Sequence, residues 1–406
     1  MVDLARHTAE AVARQSYGRL VAMLAARSRD IAAAEDALAD ALVAALRTWP
    51  ERGVPANPDA WLLTAARNSL KNAARHRGIA ASKAADFAML QDVVPDEESG
   101  FPDERLKLLF ICAHPALEPS MRTPLMLQTI LGLDAARIGS AFLVAPSAMG
   151  QRLVRAKARI KEAQLRFEVP TPADMPDRLS DVLSAIYAAY GVGWDGLSGA
   201  TSVDRGLTEE AIYLSRLVVS LLPGEPEALG LLALMLYCEA RRSARRDALG
   251  RFVPLDQQDA RLWSRDLIIE AENLLTAASR FRQFGRFQCE AAIQSVHVQR
   301  PITGRTNYDA LVTLYEMLAR HVPGGGAVVG LAAVLVEAGR ALEARTVLDS
   351  LDPSTVSAYQ PYWVTLAKAL RVFGEPEAAD RALQTAIGLT EEAAVRAYLA
   401  SFHAKG

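Results

Sequence analysis

Arg152, Arg155 and Arg159 recur at a spacing of three or four, with Lys157 and Lys161 beside them and no acid between Gly150 and Lys161. Guanidinium groups in such a row bind phosphate and can hydrogen-bond guanine edges in pairs, so the chemistry they offer is recognition of nucleic acid rather than bond making. Taken alone, the row also fits the solvated face of an amphipathic helix. A second cationic stretch lies upstream. Trp61 to Ala85 carries Arg67, Lys71, Arg75, Arg77 and Lys83 without an acid, whereas Asp86 to Asp103 carries Asp86, Asp92, Asp96, Glu97, Glu98 and Asp103 without a base. Nucleophilic or metal chemistry finds no matching pattern. Cys112, Cys238 and Cys289 are far apart and odd in number, which suits reduced thiols and gives neither a disulfide framework nor a zinc cluster. Cys112 and His114, in FICAHP, have no further ligand nearby and read as core residues at a helix end. The expectation is a binding protein with no catalytic residue, no metal and no cofactor.

The formal charge of -2 hides this segregation, and with 51% apolar residues in 406 the chain has material for two or three packed domains. The N-terminal stretch MVDLARHTAE lacks the apolar core of a signal peptide, and the longest apolar run, Ala228 to Cys238, is too short to cross a bilayer. A cytoplasmic protein with no membrane partner is expected.

Glycine and proline punctuate helical patterns throughout, and apart from an extended piece at Arg251 to Leu255 no period-two strand stands out, so the fold class is all-α. The cationic row sits on the second of two short helices. The first is opened by Asp134, a turn runs through Leu143, Val144 and Ala145, and the second has Pro146 in its first turn, with Met149, Leu153, Ala156 and Ile160 as its apolar stripe. Two helices so joined, the second basic, form the helix-turn-helix arrangement that enters a major groove. Upstream, residues 8 to 48 hold two helices. Tyr17, Leu20, Val21 and Leu24 mark the inner face of the first. In the second, Ile31 to Thr48, Ala34, Ala37, Leu38, Ala41, Leu42, Ala45 and Leu46 lie on the buried side, with Glu35, Asp36 and Asp40 exposed. A proline-stiffened loop, WPERGVPANPDAW, leads to a third helix near Asp59. There Trp61, Leu62, Ala65 and Leu70 can pack inward while Arg67, Asn68, Lys71, Asn72 and Arg75 point out.

AEDALADALVAALRTWP, then NPDAWLLTAARNSLKNAARHR, then a helix-turn-helix some fifty residues on, resemble region 2 and region 4 of an extracytoplasmic-function (ECF) sigma factor of the sigma-70 superfamily, over roughly residues 10 to 165. RLKLLFICAHPALEP, FLVAPSAMGQRLVRAKARI, and EPEALGLLALM followed by RRSARRDALGRFVPLDQQDARLW resemble one subgroup, which has a fused C-terminal tetratricopeptide-like helical domain. The resemblance implies four segments: 1–78 as region 2, 79–103 as an acidic linker, 104–170 as region 4, and 171–406 as a C-terminal helical regulatory domain. It implies binding to core RNA polymerase, to the clamp helices of the largest subunit through Glu35, Asp36, Leu38, Asp40, Leu42 and Arg47, and to the flap of the second-largest subunit. It implies contacts to the -10 element of promoter DNA by Asn57, Pro58, Trp61, Arg67, Asn68, Lys71, Asn72 and Arg75. Contacts to the -35 element would come from Ser147, Gln151, Arg152, Arg155, Arg159 and Lys161. A rigid loop beside a basic helix suits capture of an unstacked base in single-stranded DNA. Simple surface polarity accounts for the two asparagines equally well, and a solvated connector accounts for the linker. Many relatives carry a basic residue where Gly150 stands.

From about Asp174 the pattern becomes paired helices: Arg178 to Gly191, Leu207 to Leu222, Glu225 to Arg242, Asp259 to Arg280, Phe287 to Gln299 and Asn307 to His321. Gly339 and Gly374 lie 35 residues apart, close to the tetratricopeptide period of about 34. With them Val328, Leu331, Ala332, Leu335, Ala344 and Leu348 align with Trp363, Leu366, Ala367, Leu370, Ala379 and Leu383. Such arrays present a concave surface, so a protein or small-molecule ligand is a further expected partner. Arg241, Arg242, Arg245, Asp247, Asp259 and Trp263 form either a recognition site or an ion-pair network fixing the helices, with the structural role favoured. The function so read is promoter selection by an alternative sigma factor regulated in cis by its C-terminal half. The competing reading is a repeat-array scaffold or ligand-sensing DNA-binding protein that no longer binds polymerase.

Overall fold

The structure is a computed structural model and describes residues 2–76, 103–142, 144–165, 167, 170–171, 174–195, 202–322, 325–390 and 392–401. The described residues are helical with no sheet; the expected extended piece amounts to an isolated antiparallel bridge between Arg246 and Phe252. Two compact units divide between Leu221 and Leu222. The acidic linker expected at 79–103 lies outside the described residues except for Asp103.

The first unit opens with α1 (Val2–Gln15), α2 (Tyr17–Ser28), α3 (Ile31–Arg52) and α4 (Pro58–His76). Three helices thus precede the loop where two were expected. Asp30 starts α3 by accepting from Ala33 N at 3.0 Å, satisfying one of the orphan donors of the first turn. The helix continues through Trp49 and Pro50, residues expected in the loop, and closes where Gly53 N donates to Trp49 O. Pro50 has no amide hydrogen to donate to the Leu46 carbonyl, so the last turn of α3 forgoes one bond of its ladder. Asn57 then caps α4, its Oδ1 accepting from Ala60 N at 3.0 Å, with Pro58 at the first helical position.

Next come α5 (Glu104–Cys112), α6 (Pro119–Leu131), α7 (Ala135–Ala141) and α8 (Pro146–Glu162). Asp134 caps α7, accepting from Arg137 N at 2.8 Å. Gly139 permits the turn that follows. Val144 N donates to Gly139 O at 2.8 Å, and a Cβ on Gly139 would stand 2.5 Å from Val144 O. On α8 the stripe Met149, Leu153, Ala156 and Ile160 is buried. Cys112 is fully buried, which pushes its thiol up to about 12, and it contacts Thr129 Oγ1 at 3.6 Å. His114 Nδ1 accepts from Ala116 N at 3.0 Å, closing the turn after α5.

Two more helices, α9 (Met175–Asp195) and α10 (Ser202–Leu221), complete this unit. The sequence assigns them to a C-terminal domain starting at 171, yet they pack on α5 and α6. Arg122 on α6 pairs with Asp181 on α9 at 2.7 Å. Arg105, 7% exposed, pairs with Asp103 at 2.6 Å and with Glu210 on α10, and lies over the Tyr213 ring. A buried guanidinium needs such a full set of acceptors.

The second unit is built on α11 (Pro226–Ala240), which is buried all round from Ala228 to Tyr237 and lies against α12 (Arg265–Ser279) and α13 (Arg286–Val298). α12 starts later than the pattern around Asp259 suggests, because residues 242 to 262 form three short 3-10 turns. The chain continues through α14 (Arg300–Thr303), α15 (Tyr308–His321), α16 (Gly325–Glu337), α17 (Ala341–Asp349), α18 (Pro353–Val356), α19 (Gln360–Val372), α20 (Pro376–Gly388) and α21 (Ala393–Ala400). Gly339 and Gly374 both have φ of 75°, a left-handed conformation natural to glycine, and each turns the chain between paired helices. Ala332, Ala344 and Ala379 are fully buried and Ala367 nearly so, letting the helices of each pair approach closely.

Candidate functional site

On α3 the buried face repeats Ala34, Leu38, Ala41 and Ala45 at the helical period. Leu38, expected to meet polymerase, is 1% exposed and belongs to this core. Leu46, expected inside, is 47% exposed, and Val43 is 48% exposed. The surface of α3 is therefore a stripe of Asp36, Asp40, Val43 and Arg47, with Ala39 and Leu46 beside it. Its apolar members escaped the sequence reading, although Asp36, Asp40, Val43 and Arg47 are themselves spaced by four, three and four. Leu42 is half-buried. Asp40 accepts a hydrogen bond from Ser69 Oγ on α4 at 2.8 Å, which fixes its carboxylate at the edge of the stripe.

On α4, Asn68, Asn72 and Arg75 are exposed and share a face with Thr64, while Lys71 is half-buried. Arg67 differs from expectation. It is half-buried, its Nε has no hydrogen-bond partner among the described residues, and burial together with the nearby Arg27 lowers its pKa. Asn57 is exposed beside half-buried Pro58. The Trp61 ring meets Trp49 edge-on, with centroids 5.5 Å apart, which ties the first turn of α4 to the last turn of α3. Asp59 anchors the same corner by accepting from Ser16 Oγ at 2.9 Å and pairing with Arg19.

All six residues expected to read DNA from α8, namely Ser147, Gln151, Arg152, Arg155, Arg159 and Lys161, are exposed. Lys157 is not. It pairs with Glu35 of α3, and Lys161 pairs with Asp30 at 2.7 Å, so the flank of α8 next to its apolar stripe lies along α3. Between α3, α4 and α8 is a cleft of about 630 Å³ lined by Asp30, Glu35, Asp36, Asp40, Ser69, Lys157 and Lys161 among others. Burial raises the Glu35 pKa, opposed by the Lys157 charge.

In the second unit, Asp247 and Asp259 are occupied locally. Asp247 accepts from Leu249 N and Arg251 N, both at 2.9 Å, holding the turn at the bridge, and Asp259 accepts from Arg261 N at 3.0 Å. The Arg261 guanidinium, donating to the Asp259 carboxylate at 2.7 Å, and then the Arg261 N bond hold Asp259 down at about 2, and the backbone bond from Arg251 holds Asp247 below the usual range. Arg241 is buried and donates to Tyr237 O and Gln294, Arg242 pairs with Glu239 at 2.6 Å, and Trp263 is buried. These members of the cluster therefore brace the loop between α11 and α12. No group of three or more metal-binding side chains occurs among the described residues, and none of their helices is long and apolar enough to cross a membrane.

A model of sigma-70 region 2 matches residues 12–79, the span of α2 to α4 and their flanks. A second, described as a family of unknown function (DUF6596), matches residues 178–279, from within α9 to the end of α12. No solved structure matches. Over 378 residues the chain is 35% identical to "Uncharacterized protein R00370" of Rhizobium meliloti (strain 1021), covering 91% of this chain and 89% of that protein. The chain belongs to the family of that protein and, through its region 2, to the sigma-70 superfamily.

Proposed function

We propose that the protein is an alternative sigma factor of the ECF type, which acts in the cytoplasm by binding rather than by catalysis. The reading rests above all on one arrangement: within a region 2 fold, an acidic and apolar stripe on α3 stands next to a polar face on α4 headed by a rigid Asn57-Pro58 corner. The stripe docks on the clamp helices of core RNA polymerase, with Asp36, Asp40 and Arg47 as charged contacts and Val43 and Leu46 as apolar ones. The α4 face holds the melted -10 strand, Lys71 and Arg75 on phosphate and Asn68 and Asn72 near base edges. Residues 104 to 162 form region 4, which binds the flap. Its helix-turn-helix, α7 and α8, reads the -35 element with Gln151, Arg152 and Arg155. The remainder, with tetratricopeptide-like pairs at α16/α17 and α19/α20, regulates these steps in cis and takes a protein or small-molecule ligand.

Core-polymerase pull-down and run-off transcription test this reading. The full chain is expected to bind core and direct initiation at its promoters. Failure to bind core overturns it and leaves the scaffold or sensor reading.

A further inference from the structure

The segment joining α11 to α12, residues 242 to 262, crosses the second unit as a strap. One end is fixed to α14, where Arg300 donates to Leu255 O at 3.2 Å, to Gln258 O at 3.5 Å and to Asp256 O. The other end reaches α21. There Arg246 pairs with Glu392, 146 positions on, and the Phe252 ring meets Tyr398 edge-on with centroids 5.4 Å apart. Tyr398 joins this contact to a face of the helical pairs. Burial first, and then the Asp256 carboxylate of the strap, push its phenol up, with Lys368 opposing and Glu337 adding. Lys368 of α19 and Glu337 of α16 form an ion pair at 2.7 Å.

The two sides of the contact differ in firmness. Asp247 holds the turn of the strap from within, and the bridge sets Arg246 beside Phe252, so the strap keeps its shape with or without α21. α21 is eight residues long and only Leu399 on it is buried, with Val395 and Tyr398 packed part-buried on α19 and α20. Glu392 makes no side-chain bond to its own helix, so its carboxylate serves Arg246, the two side chains being 19% and 23% exposed.

We propose that the strap is a built-in stand-in for a partner protein: one that presents an arginine beside an aromatic ring docks on Glu392 and Tyr398, displaces Arg246 and Phe252, and so frees α21. One arginine replaces another on Glu392 at no net cost in the contact, because desolvation and pairing are the same for both. What favours the strap is its tether, which gives an effective concentration of about millimolar order. A partner wins by adding contacts of its own, and Glu337 and Lys368 on the adjoining face supply them. This inference rests on the reading of this half as a regulatory module that takes a protein ligand.

The probe is a labelled peptide of the strap's own residues 244–256, titrated into the full chain by fluorescence anisotropy, with hydrogen exchange of the α21 amides followed in parallel. Arg246→Glu sets two carboxylates against each other and should speed exchange in α21 and tighten peptide binding, each by about tenfold. Glu392→Arg should speed exchange equally but bind no peptide, and the double variant Arg246→Glu/Glu392→Arg should restore slow exchange. Should Arg246→Glu fail to fold, Phe252→Ala, which keeps the ion pair, takes its place with the same expected directions. Exchange unchanged in every variant overturns the hold of the strap on α21, and faster exchange without peptide binding overturns the partner site. Core binding is measured on the same samples. Peptide binding by a chain that never binds core supports the docking site and overturns the sigma-factor reading, whereas core binding with no peptide taken by any variant overturns this inference alone.

Discussion

Helices α4 and α8 carry similar basic sequences, but they present them differently. On α8 the buried stripe is Met149, Leu153, Ala156 and Ile160, and Arg152, Arg155 and Arg159 each precede a stripe residue and face solvent. Lys157 and Lys161 each follow one, on the flank that α3 approaches. On α4, Leu62 and Ala66 are buried, and Arg67, one position after Ala66, is half-buried with Nε enclosed. One step in sequence turns a side chain by about 100° around the helix axis, so cations before and after the stripe take opposite flanks. Periodicity gives the flank, and the neighbouring helix decides which flank is covered.

Six substitutions break or sharpen this contrast. The largest effect is expected for Leu38→Ala, which empties a core position and should destabilise the first unit by about 2–5 kcal/mol. Val43→Ala on the exposed stripe should leave the denaturation midpoint nearly unchanged and weaken core binding instead. If Leu38→Ala were harmless to stability, the assignment of faces on α3 would be wrong. Next, Arg152→Ala should weaken promoter binding by about 1–3 kcal/mol and reduce the salt slope by about one, measured by titration at several salt concentrations. Arg67→Ala should change that slope less, and equal effects at the two positions would erase the difference between the helices. Gly139→Ala forces a Cβ against Val144 O and should cost about 1–3 kcal/mol of stability, with loss of promoter binding. The smallest effect is for Gly150→Ala. Its Cβ would meet only the Ala135 side chain at an ordinary 3.8 Å, so thermal unfolding should show a gain of up to about 1 kcal/mol.

Much of this was legible in the sequence. Strong helical periods and the cap at Asp134 use local bonds that neighbouring residues supply, and the structure places them where the pattern predicts; Asp30 and Asn57, which the pattern did not single out as caps, use the same kind of bond. The paired glycines 339 and 374 behaved likewise, since a left-handed turn is a local property. What escaped was relational. Leu46 and Leu38 are the same residue type on one helix, and only the placement of α2 and α4 around α3 decides that one is core and the other surface. The start of α12 also escaped, because residues 242 to 262 fold around Arg241, Asp247 and Asp259 instead of continuing the helical pattern.

The amino-acid order by itself determined the helices, their caps and the cationic character of α4 and α8, because backbone hydrogen bonding and charge are carried by residues within a turn or two of each other. Tertiary structure decided that α9 and α10 belong with α5 and α6, that Arg67 is tucked in, and that Lys157 is spent on Glu35. Those outcomes depend on contacts between residues up to 122 positions apart, and nothing in a local pattern states which distant partner will arrive.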